Sequence, residues 1–258
     1  MRWRNVLLGA SGLGLVVVGA PVGVMVWTFT GNPPIEDGRT LPGGAVVVKD
    51  GYVSAFLIPL DEGKAALIDA GMDPEGAAIH AALGKLGRTE DGVVAVLLTH
   101  GHGDHTAACG RFPNAVVYAG QPELPILSGA AATHGPLPSL FGASPSACRA
   151  PAGVEDGQVI DLGGKEAHAY AIPGHTAGST AWRVDGVVFL GDAADATTDG
   201  ELVGAKWVFS DDVGESERSL AKLADQLKRE GAVVDTLACA HTGVLPGEAL
   251  ERFAASLR

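Results

Sequence analysis

From His100 to His105 the chain reads His100-Gly101-His102-Gly103-Asp104-His105, three imidazoles and a carboxylate within six consecutive residues. Imidazole is the commonest metal-ligating side chain and Asp adds a hard oxygen, so the cluster suits divalent zinc, iron or manganese. It follows Val93-Val94-Ala95-Val96-Leu97-Leu98, an apolar stretch that reads as a buried strand ending at Thr99. Gly101 and Gly103 let the backbone turn tightly enough to aim alternate side chains at one centre. The fold must therefore hold this loop at the C-terminal end of a core strand.

Later strand-like segments end in the same way. Ala167 to Ile172 alternates, breaks at Pro173-Gly174 and is followed by His175; Val187-Val188-Phe189-Leu190 ends at Gly191-Asp192; and Val233 to Ala240 runs into His241. Earlier, Leu67-Ile68 stops at Asp69. Each delivers one ligand-type side chain where a strand gives way to a loop.

Five motifs now stand in order: Leu67-Ile68-Asp69-Ala70-Gly71, His100-Gly-His102-Gly-Asp104-His105, Pro173-Gly-His175-Thr-Ala-Gly-Ser179, Leu190-Gly191-Asp192 and His241. In these the chain resembles the metallo-β-lactamase-fold hydrolases over roughly residues 43 to 258, and within them the glyoxalase II-like and lactonase-like branch. The resemblance implies an α/β chain folded as an αββα sandwich with two divalent metal ions, zinc first and iron or manganese as alternatives. His100, His102 and His175 would hold one ion, Asp104, His105 and His241 the other, and Asp192 would bridge them. Asp69 would orient a ligand imidazole from behind. Thr176 and Ser179 would brace the His175 loop or serve as ordinary turn residues.

Such a centre lowers the pKa of bound water to near neutrality and polarises the bond under attack. The implied reaction is cleavage of a small ester, thioester, lactone or related bond by a metal-bridging hydroxide. Asp104 would be catalytic, orienting the hydroxide or accepting its proton. Asp192 points away from true β-lactamases, which, as the resemblance implies, lack an Asp there. The alternatives are a β-lactamase, a mononuclear iron oxygenase of the persulfide dioxygenase type, and a non-catalytic metal-binding protein.

The chain of 258 residues is long enough for one large α/β domain, and its net charge of −12 disfavours nucleic acid as a partner. A small-molecule substrate fits better. Asn5 to Ile35 carries no charged residue or His, and Val6 to Phe29 is predominantly apolar. Those 24 positions would span ~36 Å as a helix, enough to cross a bilayer. Arg2 and Arg4 precede the stretch, which predicts an N-terminal transmembrane helix with the catalytic domain extracytoplasmic, or a secreted protein if a signal segment is cleaved. The expected organisation is an anchor over 1–30, a linker over 31–44 and a catalytic domain over 45–258.

Cys109, Cys148 and Cys239 are an odd set in which nothing reads as a disulfide framework, and Cys109 and Cys239 read as small buried hydrophobes. Helices are expected from Pro74 to about Leu86, after His105, from Pro122, over Glu215–Arg229 and over Gly247–Leu257. Residues 127–151 lack periodicity and read as an insertion able to cover the metals, with His134 as a candidate contact. Lys206 and Trp207 are candidate substrate contacts in the stretch after Asp192. His80 and His168 read as surface residues.

Overall fold

The computed structural model describes residues 32–258. Two six-stranded sheets form its centre. The first runs β1 (Val46–Asp50), β2 (Val53–Pro59), β3 (Ala65–Ile68), β4 (Val93–Leu97), β5 (Val116–Gly120) and β6 (Ala152–Val154) in spatial as well as chain order. Its β1–β2 and β2–β3 pairs are antiparallel, and the pairs from β3 to β6 are parallel. The second sheet uses β7 (Val159–Asp161), β8 (Glu166–Ala171), β9 (Thr180–Val184), β10 (Val187–Gly191), β13 (Thr236–Cys239) and β14 (Val244–Pro246) in the order β14-β13-β10-β9-β8-β7. A separate hairpin pairs β11 (Ala194–Ala196) with β12 (Leu202–Gly204).

The period of two along each strand sorts side chains into layers. Phe56 and Ile58 of β2, Ala95 and Leu97 of β4, and Val187 and Phe189 of β10 meet between the sheets, where Trp182 is also buried. The alternate residues Leu57 and Val96 face Ile79 and Leu83 of α1 (Ala77–Lys85). On the opposite side, Val188 and Leu190 face Leu220, Leu223 and Leu227 of α4 (Val213–Glu230) and Leu250 of α5 (Glu248–Ser256). Helix, sheet, sheet, helix is the expected αββα order.

Local chemistry sets the helix ends. Asp212 caps α4 by accepting from Glu215 N at 2.8 Å, and Gly231 closes it in the left-handed region. Such an N-cap is worth about 1 kcal/mol. The first helix begins at Ala77 rather than Pro74, because its N-cap is Gly76 in the left-handed region, and the Asp73 carboxylate accepts from Glu75 N and Ala77 N in the turn that precedes it. The helix expected from Pro122 is a 3-10 turn, Gln121–Glu123, running into the single turn α3 (Leu124–Leu127). The helix expected after His105 instead contains it, as α2 (Gly103–Thr106).

Two expectations change. Cys109 and Cys148 form a disulfide across 39 positions, and only Cys239 among the described cysteines is free and buried. Loop composition gave no sign that residues 127–151 would be tied by Cys148 to the core layer that holds Ile79 and Leu83 of α1. The membrane-anchored, extracytoplasmic placement is also corrected: among the described residues no helix is long and apolar enough to cross a membrane. The Val6–Phe29 segment on which that placement rested lies outside the described residues. Within the stretch read as a linker, Leu41 is buried in the inter-sheet core and its N–H donates to the Ala45 carbonyl.

Candidate metal centre

The strand ends named from sequence converge at one edge of the sandwich. The His100–His105 loop leaves β4, His175 lies between β8 and β9, Asp192 follows β10 and His241 follows β13. Gly191 makes the approach possible. Its φ is +56°, and a Cβ there would sit 2.4 Å from Thr99 Oγ1.

Two groups of ligand-type atoms result, His100, His102, His175 and Asp192 in one and Asp104, His105 and His241 in the other, each within 4.8 Å. In the first, His175 Nε2 lies 3.1 Å from both His100 Nε2 and His102 Nδ1. In the second, Asp104 Oδ2 is 3.5 Å from His241 Nε2 and 3.9 Å from His105 Nε2. Asp192 reaches both groups, with Oδ2 3.0 Å from His241 Nε2 and 3.7 Å from His175 Nε2, and Oδ1 3.2 Å from His105 Nε2.

Outer hydrogen bonds aim the nitrogens. His105 Nδ1 donates to Asp69 Oδ2 at 2.8 Å, leaving the Nε2 lone pair for the centre. Asp69 is fully buried at φ +57° and also accepts from Thr99 N and Thr99 Oγ1. Because the Thr99 hydroxyl gives its proton to Asp69, it accepts from His100 Nδ1 at 3.1 Å. Ser210 Oγ donates to the Lys206 carbonyl and so accepts from His175 Nδ1 at 3.0 Å. His241 Nδ1 donates to the Tyr52 carbonyl at 2.9 Å, and the Tyr52 ring stacks on it at 5.7 Å. Four imidazoles are thus held in the tautomer whose Nε2 can bind a cation.

These donors fit divalent ions. Lone pairs facing one another at 3.1 Å repel unless a cation lies between them. Tetrahedral zinc with nitrogen ligands separates those nitrogens by about 3.3 Å. His105 Nε2 and Asp192 Oδ1, 3.2 Å apart, are moreover buried and face only each other, without a well-formed hydrogen bond.

Charge differs between the groups. Burial, reinforced by the neighbouring imidazoles, holds His100 well below the ordinary histidine value, and burial does the same to His175. His102 is lowered by burial, against the pull of Asp104 and Asp192. Burial also opposes a charge on His105 and His241, but nearby carboxylates, Asp192 foremost, outweigh it. They push His105 well up and His241 to about 9. Asp192 lies well below the usual carboxylate range, because His241 and His105 overcome its burial.

The other candidates scatter. His134 is exposed, and its backbone N–H, with that of Gly135, donates to Asp211 Oδ1. Lys206 Nζ pairs with the buried Asp195 at 3.4 Å, while Trp207 is exposed. His80 pairs with Glu90, and His168 lies 3.6 Å from Glu166. Thr176 and Ser179 do brace the His175 loop, since Thr176 N donates to Ser179 Oγ at 2.9 Å. Sequence reasoning missed Ser210, Tyr52 and Glu123. Only Glu123 carried a signal, an acid just beyond the end of β5, the position that gave the other ligands.

A family model described as the metallo-beta-lactamase superfamily matches residues 48–234. The chain is 31% identical over 217 residues to a hydroxyacylglutathione hydrolase of Fuscovulum blasticum, covering 81% of this chain and 68% of that one. It is 29% identical over 153 residues to a hydroxyacylglutathione hydrolase of Aeromonas salmonicida (strain A449), covering 57% and 47%. The chain spans about half the length of two of the curated relatives it matches. A solved subclass B3 metallo-beta-lactamase of Bradyrhizobium japonicum is similar at TM-score 0.61 and 22% identity, covering 88% of this chain and 92% of that one, a likeness of fold.

Proposed function

Because the chain belongs to the metallo-beta-lactamase superfamily and is a metallohydrolase, we propose that it cleaves the thioester, or a related ester or lactone, of a small acyl compound at a two-metal centre. His100, His102 and His175 would hold one ion, Asp104, His105 and His241 would hold the other, and Asp192 would serve both. The observation that carries this reading is the Asp192 carboxylate, whose two oxygens lie 3.0 to 3.7 Å from imidazole nitrogens of both groups. Curated relatives named hydroxyacylglutathione hydrolase support a thioester in particular.

Two divalent ions, zinc by the match of imidazole spacing, would supply water of near-neutral pKa and polarise the acyl carbonyl. The residues do the rest. Asp104 is the least buried carboxylate of the set, with about a fifth of its side chain exposed, so it is the one placed to orient the attacking water and take its proton. Asp69, Thr99 and Ser210 keep His105, His100 and His175 in the required tautomers. No serine or cysteine nucleophile is needed.

The test is metal content and turnover together. Purified protein should hold close to two equivalents and hydrolyse a thioester, while His102→Ala and Asp104→Ala should each lose turnover and about one equivalent. Lactone, phosphodiester and β-lactam panels run beside it assign the bond, with His102→Ala guarding against contaminating activity. Full turnover in both variants would refute the centre.

A further inference from the structure

Glu123 is the one fully buried acid among the described residues that lies outside both ligand groups and outside the Asp69 relay. It ends the 3-10 turn after β5 and makes no ion pair among the described residues. Three donors neutralise it instead. Gly101 N donates to Oε1 at 2.7 Å, and Thr176 Oγ1 and Gly178 N donate to Oε2 at 2.8 and 2.9 Å. Burial pushes its carboxyl up, and these three bonds pull it back.

The identity of the donors matters. Gly101 lies between His100 and His102, and Thr176 directly follows His175. The two oxygens therefore grip two loops that are far apart in sequence and together carry three imidazoles. Glycine is required at both contacts by proximity. A Cβ on Gly101 would lie 2.9 Å from Glu123 Oε1, and one on Gly178 would lie 2.3 Å from Glu123 N. No bond runs from Glu123 to an imidazole, so it differs from Asp69, Thr99 and Ser210, which each touch a ring nitrogen.

We propose that Glu123 is a positioning residue that clamps the His100–His102 loop to the His175 loop and so presets the three-imidazole group at coordination spacing. Without it, the buried Gly178 N–H and the part-buried Gly101 N–H lose their partner, and the loops can separate to solvate them. Its effect should fall on the first group and spare the second, whose residues it does not touch. The inference rests on the reading that His100, His102 and His175 bind an ion.

The test uses Glu123→Gln in the full chain. An amide of the same shape can satisfy the donor on one side but presents N–H to the donors on the other, so one jaw of the clamp opens. Metal-free wild type and variant are titrated with cobalt(II), following visible absorption and competition with a chelator. A His241→Ala background isolates the first group. Glu123→Gln should bind cobalt at the first group about 10- to 100-fold more weakly, as for other outer partners of ligands. Its spectrum should change and the second group should keep its affinity. Thr176→Val removes one bond of the three and should give a smaller loss in the same direction, which keeps the test open if Glu123→Gln unfolds. Wild-type affinity in both variants overturns the clamp, and so does equal weakening of both groups in step with a lowered Tm. Wild type that takes up no metal overturns the proposed function as well.

Discussion

The His100/His102/His175 group is three imidazoles with a share in one carboxylate, whereas the two imidazoles of the other group, His105 and His241, sit among Asp104, Asp192 and Asp69. Burial keeps the first group neutral before any ion arrives, and its order comes from hydroxyls and from Glu123. The second group meets the same burial with anions, and its imidazoles hold protons that stand where a cation would. Two neighbouring groups of candidate ligands are thus prepared by different physics. One is preset by neutral hydrogen bonds, and the other is charge-matched and would have to exchange protons for a metal.

The strongest way to break this contrast is to remove what both groups share. Asp192→Ala should lower turnover about 1,000-fold, since pre-placed charge at a reacting centre is commonly worth that much. It should also leave His105 and His241 short of counter-charge. Metal analysis should show both positions weakened, the second more than the first. Two tightly held equivalents in Asp192→Ala would show that the groups are independent.

A smaller substitution sharpens the contrast. Asp69→Asn keeps the shape but removes the charge that holds His105 Nδ1–H and accepts from Thr99. Metal affinity at the second group should fall about 10- to 100-fold. The first should change less, because Thr99 reaches it only through His100 Nδ1. Equal losses at both groups would make Asp69 a support for the loop as a whole.

The same contrast explains what could be read from the chain. Ligands stood out because each follows an apolar strand, and strand period and loop position are local properties of sequence. One helix face was legible for the same reason, since Leu220, Leu223 and Leu227 recur at helical spacing, whereas Phe56, Leu57 and Ile58 are all apolar and only the structure assigns them to opposite faces of β2. What orders the first group was not legible. Ser210 meets His175 across 35 positions, Thr176 meets Glu123 across 53, and Cys109 meets Cys148 across 39. No periodicity reports such pairings. Glu123 looked like the start of a helix from Pro122, and its role depends on two glycines that bring backbone amides close to its carboxylate.

The gentlest probe is pH acting on the metal-free protein, and the two groups pull in opposite directions. His105 and His241 have folded pKa values above the ordinary imidazole value of about 6.5, so folding favours their protonated forms. The stability they lend is complete below that value and is lost as pH rises through the folded value, about 9 for His241. His100, His102 and His175 are shifted down, so folding favours their neutral forms. Their contribution is complete above about 6.5 and is lost as pH falls toward their folded values. Metal-free protein should therefore be most stable near pH 6.5, with Tm falling by a few degrees on either side between pH 5 and 9.5. Loading with metal should abolish the alkaline limb, because His105 and His241 then have no proton to lose. Thermal scans across that range, with and without chelator, decide it: a metal-free Tm that stays level from pH 6.5 to 9.5 would mean that the second group is not held by charge.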